Sequence, residues 1–183
     1  MIDLMNFPKD VLVTLYSEDV ENEQVFGFIV CCDEEELILA CVTNQGENDG
    51  FLWIKTESIF RVDYESSYEK KLETLYRLKA QEHEAIPSFN ESQDFRNDLL
   101  LWAQKEKKIA EFFIKDADTS IIGYIEDPDA CRIKCVDVVE LKPEQGYTYI
   151  DLDKVDNIWV DEERARNAEL VLRQKANADT QAE

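Results

Sequence analysis

The sequence predicts a mainly β protein with accompanying α-helices (α+β), organised as two tandem small five-stranded bent β-barrels, each associated with helices. The first observation behind this prediction is an internal repeat with a constant offset of 96 residues: residues 25–29 align with 121–125, and residues 50–54 align with 146–150. The second is that glycines and alternating apolar residues keep this register between residues 11–79 and 107–175. A unit of this length is too long for a solenoid repeat and suits a small barrel domain.

The first copy is predicted to contain five strands and a trailing helix. Val11, Val13 and Leu15 alternate with residues of the opposite face, which is typical of a half-buried strand. Four more strands are expected at residues 25–32, 36–42, 50–55 and 58–62, with polar turns between most of them. A helix is expected from an N-cap at Ser66 or Ser67 to about Ala80. With a short helix or arm at residues 1–10, these elements form a first domain, residues 1–80.

The second copy is predicted to repeat this order after a linker at residues 81–91, which Pro87 interrupts. An amphipathic helix is expected over residues 92–107, burying Phe95, Leu99 and Trp102. Five strands follow at residues 109–114, 120–125, 132–138, 146–150 and 156–160, and a last helix begins near Asp161. The second domain therefore covers residues 92–175, and residues 176–183 are expected to form a frayed tail.

Barrel closure is expected because an open five-stranded ribbon with one apolar face has nothing else to cover that face. Gly27 and Gly123 each stand in the middle of a strand, where a sharply bent sheet would leave no room for a Cβ atom. A bulge glycine without special meaning explains either position alone. The recurrence of glycine at the same place in both copies favours bending.

The charge of the chain argues against a nucleic-acid or membrane-surface protein. The net charge is −21, from 41 acidic and 20 basic residues. Residues 11–79 carry 15 acidic and 6 basic residues and residues 107–175 carry 16 and 11, so neither copy is basic. Binding to a phosphate backbone depends largely on Lys and Arg, although solubility alone would explain the acidity equally well. Without a signal-peptide pattern or an apolar run of membrane-spanning length, we expect a cytoplasmic protein.

No residue pattern in the sequence indicates catalysis, a metal or a cofactor. The five cysteines form no C-x-x-C pair, and His83 is the only histidine (the cysteines are Cys31, Cys32, Cys41, Cys131 and Cys135). Cysteines within apolar strands are expected to act as small reduced hydrophobic residues. The acidic runs at residues 33–36 and 126–129 could be imagined as metal or general-acid sites, but solvated bends explain them more simply. We therefore expect a protein that is not an enzyme.

The glycine-bearing second strands resemble the Sm-like (LSm) family. In that family an aspartate commonly follows the glycine by six residues, and Asp33 and Asp129 occupy that place after Gly27 and Gly123. The family's second motif is a hydrophobic residue followed by Arg-Gly, two further residues and another hydrophobic residue. The frame of this motif is similar to residues 54–59 and 150–155. The resemblance covers residues 11–62 and 107–160 and implies a bent five-stranded barrel in each copy.

The same resemblance implies that the family's usual RNA site is degraded. The family's base-binding asparagine is replaced by Leu37 and Ile133, and its Arg-Gly pair by Lys55-Thr56 and Asp151-Leu152. A leucine or isoleucine cannot hydrogen-bond to a base edge, and Asp151 offers a carboxylate where RNA needs a cation. The positions that match the family's RNA-site motifs are Asp33, Leu37, Lys55, Thr56, Asp129, Ile133, Asp151 and Leu152.

The leading hypothesis is a non-enzymatic protein-interaction or assembly module made of two degenerate Sm-like barrels, with an unknown protein partner. The resemblance implies assembly by pairing strand four of one barrel with strand five of its neighbour, so we expect a homo-oligomer, a dimer rather than a ring. Four aromatic residues at matching sites would then lie in the core or at an interface: Phe51, Trp53, Tyr147 and Tyr149. We expect the core for Trp53 and Tyr149.

Two alternatives remain open at this stage. One is an RNA-binding Sm-like protein with non-standard contacts, from Lys55, Arg61 or residues 105–108. The run at residues 105–108 is explained more simply as the charged last turn of the second helix. The other is a phage or mobile-element accessory protein whose acidic surface engages basic host proteins, which the charge alone supports.

Overall fold

The computed structural model of the chain describes residues 4–20, 24–90, 94–115, 117, 119–129, 131–137 and 142–181. Short 3₁₀ helices and turns connect its strands and helices. The first five strands are β1 (Leu12–Ser17), β2 (Gln24–Cys32), β3 (Glu36–Val42), β4 (Asn48–Lys55) and β5 (Ile59–Tyr64), followed by α1 (Ser67–Leu78) and α2 (Phe95–Lys105). The remaining elements are β6 (Ile109–Ile114), β7 (Ile121–Asp127), β8 (Arg132–Asp137), β9 (Lys142–Tyr149), β10 (Val155–Val160) and α3 (Glu163–Gln181).

The described strands form one antiparallel ten-stranded sheet. Their order is β5-β1-β2-β3-β4-β10-β6-β7-β8-β9. Each half of the sheet therefore has the same internal order of fifth, first, second, third and fourth strand. The halves join where β4, the fourth strand of the first repeat, pairs with β10, the fifth strand of the second. We call this β4–β10 junction the seam.

The prediction of two separate five-stranded barrels is wrong. The strands and helices occur close to the predicted positions, but they build one continuous open sheet. The apolar face of each five-stranded half does not need to close on itself, because the other half and the helices cover it. Six of the seven residues of β3 and five consecutive residues of the eight in β4 are buried, which shows that both faces of the central strands are packed.

The helices cover opposite faces of the sheet. Residues paired directly across antiparallel strands share a face, and one such row runs through Phe28, Ala40, Phe51, Val160 and Ala110. Helices α1 and α2 pack on this face, and α2 contributes to a single apolar cluster that draws buried residues from both repeats. Helix α3 packs on the other face against Ile109 and Ile122. The two repeats therefore share a core.

The predicted internal repeat is present in the secondary structure. Adding 96 to the bounds of β5 gives the bounds of β10, and α3 begins 96 residues after α1. The first strand departs from this offset, because Leu12 and Ile109 occupy equivalent places opposite Phe28 and Tyr124. The offset in β6 is therefore 97, so the equivalent of Thr14 is Glu111.

The two mid-strand glycines lie where the neighbouring strand approaches closely, as predicted. A Cβ atom on Gly27 would lie 2.7 Å from Leu39 Cγ and closer still to the Ala40 carbonyl oxygen. A Cβ atom on Gly123 would meet Ile133 and the Lys134 carbonyl in the same way. Register shifts between β2 and β3, and between β7 and β8, accompany these contacts, which is consistent with bending.

The helix ends follow the sequence signals in part. Ser66 is the N-cap of α1, where it forms a capping box with Glu69. Helix α2 is shorter than predicted and begins after its N-cap Asp94. Helix α3 continues to Gln181, through most of the segment that was expected to fray.

Candidate functional site

The seam is the first candidate functional surface, because it shows how one repeat recognises another. Four residue pairs connect β4 and β10, and they place Trp53 opposite Ile158 and Phe51 opposite Val160. Both aromatic side chains are almost fully buried, at 3% exposure for Phe51 and 2% for Trp53. A side chain of the second repeat also reaches the first beside the seam, since Asn157 Nδ2 donates to the Asp19 carbonyl. Strand pairing and buried aromatic residues therefore act together at this contact.

A glycine allows the two strands of the seam to meet. Gly50 has a φ of +72°, a conformation that other residues rarely adopt. A Cβ atom there would lie 2.5 Å from the Asp161 carbonyl oxygen and closer to that of Val160. The equivalent glycine of the second repeat, Gly146, also has positive φ, but no atom of the described residues lies within 4 Å of its Cβ position. Positive φ is thus repeated at the two equivalent glycines, whereas of these two only Gly50 lies in close contact with a neighbouring strand.

The free edges of the sheet are the second candidate surface. Strand β5 pairs only with β1, and β9 pairs only with β8, in the part of the chain that the structure describes. The equivalents of Phe51 and Trp53 on β9 are Tyr147 and Tyr149, which are 61% and 68% exposed. The prediction that Tyr149 lies in the core is therefore wrong. On β5, Phe60 and Tyr64 are also exposed, so both edges present aromatic side chains to solvent.

The positions that match the Sm-like motifs separate into buried and exposed residues. Leu37 and Ile133 are completely buried, so neither side chain is accessible to a ligand. Asp33 closes a local turn in which its Oδ1 accepts hydrogen bonds from the amides of Glu35 and Glu36, both at 2.8 Å. Asp129 is exposed on the turn after β7. None of these four residues lines the cleft beside the seam that holds Lys55 and Thr56.

The other four positions lie near one cleft beside the seam, which the sequence did not predict. Lys55 and Thr56 line it, and Asp153 enters from the second repeat, two residues after Asp151. Arg96 on α2 joins the two motif segments, because its Nη1 donates to the Leu152 carbonyl at 3.1 Å. Asp151 accepts a hydrogen bond from the Asp153 amide and so orders this segment. The cleft has a volume of about 530 Å³.

The cleft is acidic and has an aromatic wall. Its acidic residues outnumber its basic residues by six to two; they are Glu34, Glu35, Glu36, Glu57, Asp94 and Asp153 against Lys55 and Arg96. The Arg96 guanidinium lies 5.2 Å from the centre of the Trp53 ring, which is within the range of a cation–π interaction. This composition disfavours a phosphate backbone as the occupant.

Glu36 supports the cleft rather than presenting a free charge. Its Oε1 accepts the Phe95 amide at 2.7 Å, and its Oε2 accepts the Trp53 indole N–H. Burial raises the pKa of Glu36 above its usual value, although these two hydrogen bonds oppose the shift. One carboxyl group therefore connects β3, the indole of β4 and the start of α2.

The basic residues considered for RNA binding lie against carboxylates. Arg61 Nη2 is 2.5 Å from Asp63 Oδ2, and its guanidinium covers the Tyr16 ring. Lys108 Nζ is 3.1 Å from Asp161 Oδ2. Lys55 lies in the acidic cleft already described. The described part of the chain therefore places these cations in locally acidic surroundings.

The histidine and the cysteines have structural environments. His83 stacks on Tyr76 and contacts its hydroxyl at 2.7 Å and the Cys41 carbonyl at 2.8 Å. Burial lowers the pKa of His83 to about 4, so it is neutral at physiological pH. Burial raises the pKa of Cys31 to about 12 and that of Cys131 to about 11, which keeps both thiols protonated. The described residues contain no group of three or more His, Cys, Asp or Glu side chains that could hold a metal ion.

Comparisons with known proteins add no relative. Within the described residues, no helix is long and apolar enough to span a bilayer. The chain matches no protein-family model, no curated protein sequence and no solved structure.

Proposed function

We propose that the protein is a non-enzymatic interaction and assembly module built from two degenerate Sm-like repeats that share one sheet. The observation that carries this proposal is the relation between the seam and the free edges. The seam pairs a fourth strand with a fifth strand, and in the described part of the chain the two strands with a free outer edge are again a fourth strand, β9, and a fifth strand, β5. The chain therefore exposes the same two kinds of edge that it uses internally.

The aromatic residues support a second copy of the chain as the partner. Tyr147 and Tyr149 occupy on β9 the places that Phe51 and Trp53 occupy on β4, where the paired residues of β10 and the shared core under α2 bury them. An uncovered sheet edge with exposed aromatic residues favours pairing with another strand. By equivalence with the seam, Tyr149 of one copy would face Val62 of another, and Tyr147 would face Tyr64.

The contact joins two different edges, so it is a head-to-tail contact that must close by symmetry or continue. We expect a dimer closed by two such contacts in preference to a larger ring. Each chain carries a charge of −21, so repulsion weakens association at low salt and is screened as salt rises. Association should therefore be stronger at moderate salt than at low salt.

Light scattering coupled to size exclusion tests this proposal across a range of salt and protein concentrations. We expect the mass to approach twice that of the 21.3 kDa chain as salt rises. Tyr149→Lys places a charge on the β9 edge and should return the protein to a monomer. Leu78→Lys is the matched control, because Leu78 is equally open to solvent but lies on α1. A wild-type monomer under every condition, or equal loss of association in both variants, would contradict the proposal.

A further inference from the structure

The N-terminus of α3 is fastened to the first repeat rather than to its own. The Glu163 amide donates to Asp49 Oδ1 at 2.8 Å, so a residue of β4 caps a helix of the second repeat. Arg166 Nη2 donates to the Asn48 carbonyl at 2.6 Å and adds a second link across the seam. These two contacts define a clasp between α3 and the start of β4.

Two carboxyl groups meet beside this clasp. Glu111 lies on β6 and is only 2% exposed, and the side chain of Glu162 approaches it closely enough for a carboxyl–carboxyl hydrogen bond. Both line a small cavity of about 180 Å³ together with Trp159. An ionised carboxylate only accepts hydrogen bonds, so two carboxyl groups can bond to each other only if one of them carries a proton.

The cations and donors around the pair compensate for only part of its charge. Ser120 Oγ donates to Glu111 Oε1. Arg164 Nη2 lies 3.8 Å from the same oxygen, but its side chain is largely exposed and its attraction is screened by solvent. Asp49 adds a third carboxyl on the side of the first repeat. Full ionisation would therefore leave several like charges close together.

In the first repeat, the equivalent site at the N-terminus of α1 has one carboxyl group instead of a pair. Its N-cap is Ser66, and the single carboxyl of Glu69 bonds to the Ser66 amide and to Thr14 Oγ1. The equivalent positions of the second repeat are Glu162 for Ser66, Ala165 for Glu69 and Glu111 for Thr14. The second repeat has thus replaced a hydroxyl cap and one carboxyl with two carboxyls in contact.

We propose that Glu111 and Glu162 share one proton at neutral pH, and that this proton keeps the N-terminal turn of α3 docked on the first repeat. Release of the proton leaves two negative charges in one cavity, next to Asp49. The clasp loosens when that charge appears. The second repeat therefore carries a proton-dependent contact that the first repeat lacks.

The direction of the pH dependence follows from the groups that face Glu162. Burial, and after it the charges of Asp49 and Glu111, raise the pKa of Glu162 to about 7, while the charge of Arg164 opposes this rise. Glu163, Cys41, Asp161 and Arg166 are further titratable or charged groups around the clasp. A carboxyl whose pKa is raised on folding stabilises the folded state relatively at low pH, and this contribution is lost as pH rises through about 7. Each pH unit between the unfolded and folded pKa values lowers the folding equilibrium constant by up to about tenfold.

Carbon-13 NMR of the glutamate carboxyl carbons in the full-length protein tests the shared proton directly. We expect the Glu162 signal to titrate near neutral pH, while Glu69 titrates below the usual glutamate range, because hydrogen bonds from Ser66 and Thr14 outweigh its burial. Titration of Glu162 in the ordinary acidic range would overturn the proposal, whatever the behaviour of any variant.

Urea unfolding as a function of pH tests the consequence for α3. The wild-type midpoint should fall as the pH rises from about 4.5 to about 7, and this contribution should level off above that. Glu162→Gln, whose amide can donate to Glu111 without carrying a charge, should remove most of this fall. Glu163→Gln is the matched control, because it makes the same charge change on an exposed neighbouring side chain and should keep the wild-type profile. A profile for Glu162→Gln that parallels the wild type would also overturn the proposal.

Discussion

Replacement of Gly50 by alanine should destabilise the protein far more than replacement of its repeat equivalent, Gly146. Both glycines have positive φ, at +72° and +119°, so an alanine at either position must adopt an unfavourable backbone conformation. Such strain costs on the order of 1–3 kcal/mol and is greater at +119°, outside the left-handed helical region, but the edge strand β9 can relax more easily than the central strand β4. Both substitutions also reduce the entropy of the unfolded chain in the same way, so this effect cancels in the comparison.

The difference in unfolding free energy between the two variants measures how closely β4 and β10 approach each other at the seam. The new Cβ atom at position 50 would lie 2.5 Å from the Asp161 carbonyl oxygen, whereas the Cβ atom at position 146 meets no atom of the described residues within 4 Å. Because the opposing atoms belong to the backbone, β4 and β10 must separate by several tenths of an ångström or more. Overpacking of this kind typically costs about 1–3 kcal/mol. We therefore expect Gly50→Ala to lose about 1–3 kcal/mol more unfolding free energy than Gly146→Ala.

Equilibrium urea unfolding, followed by tryptophan fluorescence, is the appropriate assay. Trp53 and Trp159 lie on the two strands of the seam and report its separation. The slope of unfolding free energy against urea should remain unchanged if the folded and unfolded states keep their compactness. Equal losses of free energy in the two variants, or a larger loss for Gly146→Ala, would refute the close contact at the seam.

Three further predictions follow from residues already described. Leu37→Asn restores the asparagine of the Sm-like motif at a completely buried site, so we expect a loss of about 3–5 kcal/mol in urea unfolding and no gain in oligo-U affinity. Fluorescence anisotropy with oligo-U and oligo-A should give dissociation constants for the wild type no tighter than about 10⁻⁴–10⁻⁶ M near physiological salt, and nanomolar binding would favour an RNA-binding protein instead. Glu69→Ala removes the capping box and the acceptor of Thr14 and should cost about 1–3 kcal/mol, whereas Glu73→Ala, which breaks an exposed ion pair with Arg77, should cost only a few tenths. Equal thermal shifts for these two glutamate variants would contradict the role assigned to Glu69.

The individual strands could be predicted because their signals are local. Alternation of apolar residues, turn residues and the N-cap Ser66 act over a few positions, and most strand bounds lie within two residues of those expected. The continuous apolar run of β3 is the sequence signal for burial on both faces. Interpreted in that way, it would have argued against a barrel whose outer face meets solvent.

The seam and the cleft could not be predicted because they depend on which strands become neighbours. Phe51 and Trp53 alternate in the same manner whether they face a barrel interior or the shared core under α2. Arg96 lies far from Leu152 in the sequence. The β4–β10 pairing brings the Leu152 carbonyl within hydrogen-bond distance of the Arg96 guanidinium. The equivalence of Glu111 with Thr14 was also hidden, since the repeat offset changes by one residue in the first strand.

The shared core under α2 makes the two halves of the chain mutually dependent. Trp53 and Phe51 of the first half pack in one cluster with Phe112 and Ile158 of the second, so separation of the halves would expose both sides of that cluster. The covalent connection holds the halves at an effective concentration that is typically millimolar for a short tether. Cleavage of the connecting segment would turn the seam into a bimolecular contact, whose population depends on dilution. The intact chain should therefore unfold in one cooperative transition, and neither half should hold its structure alone in dilute solution.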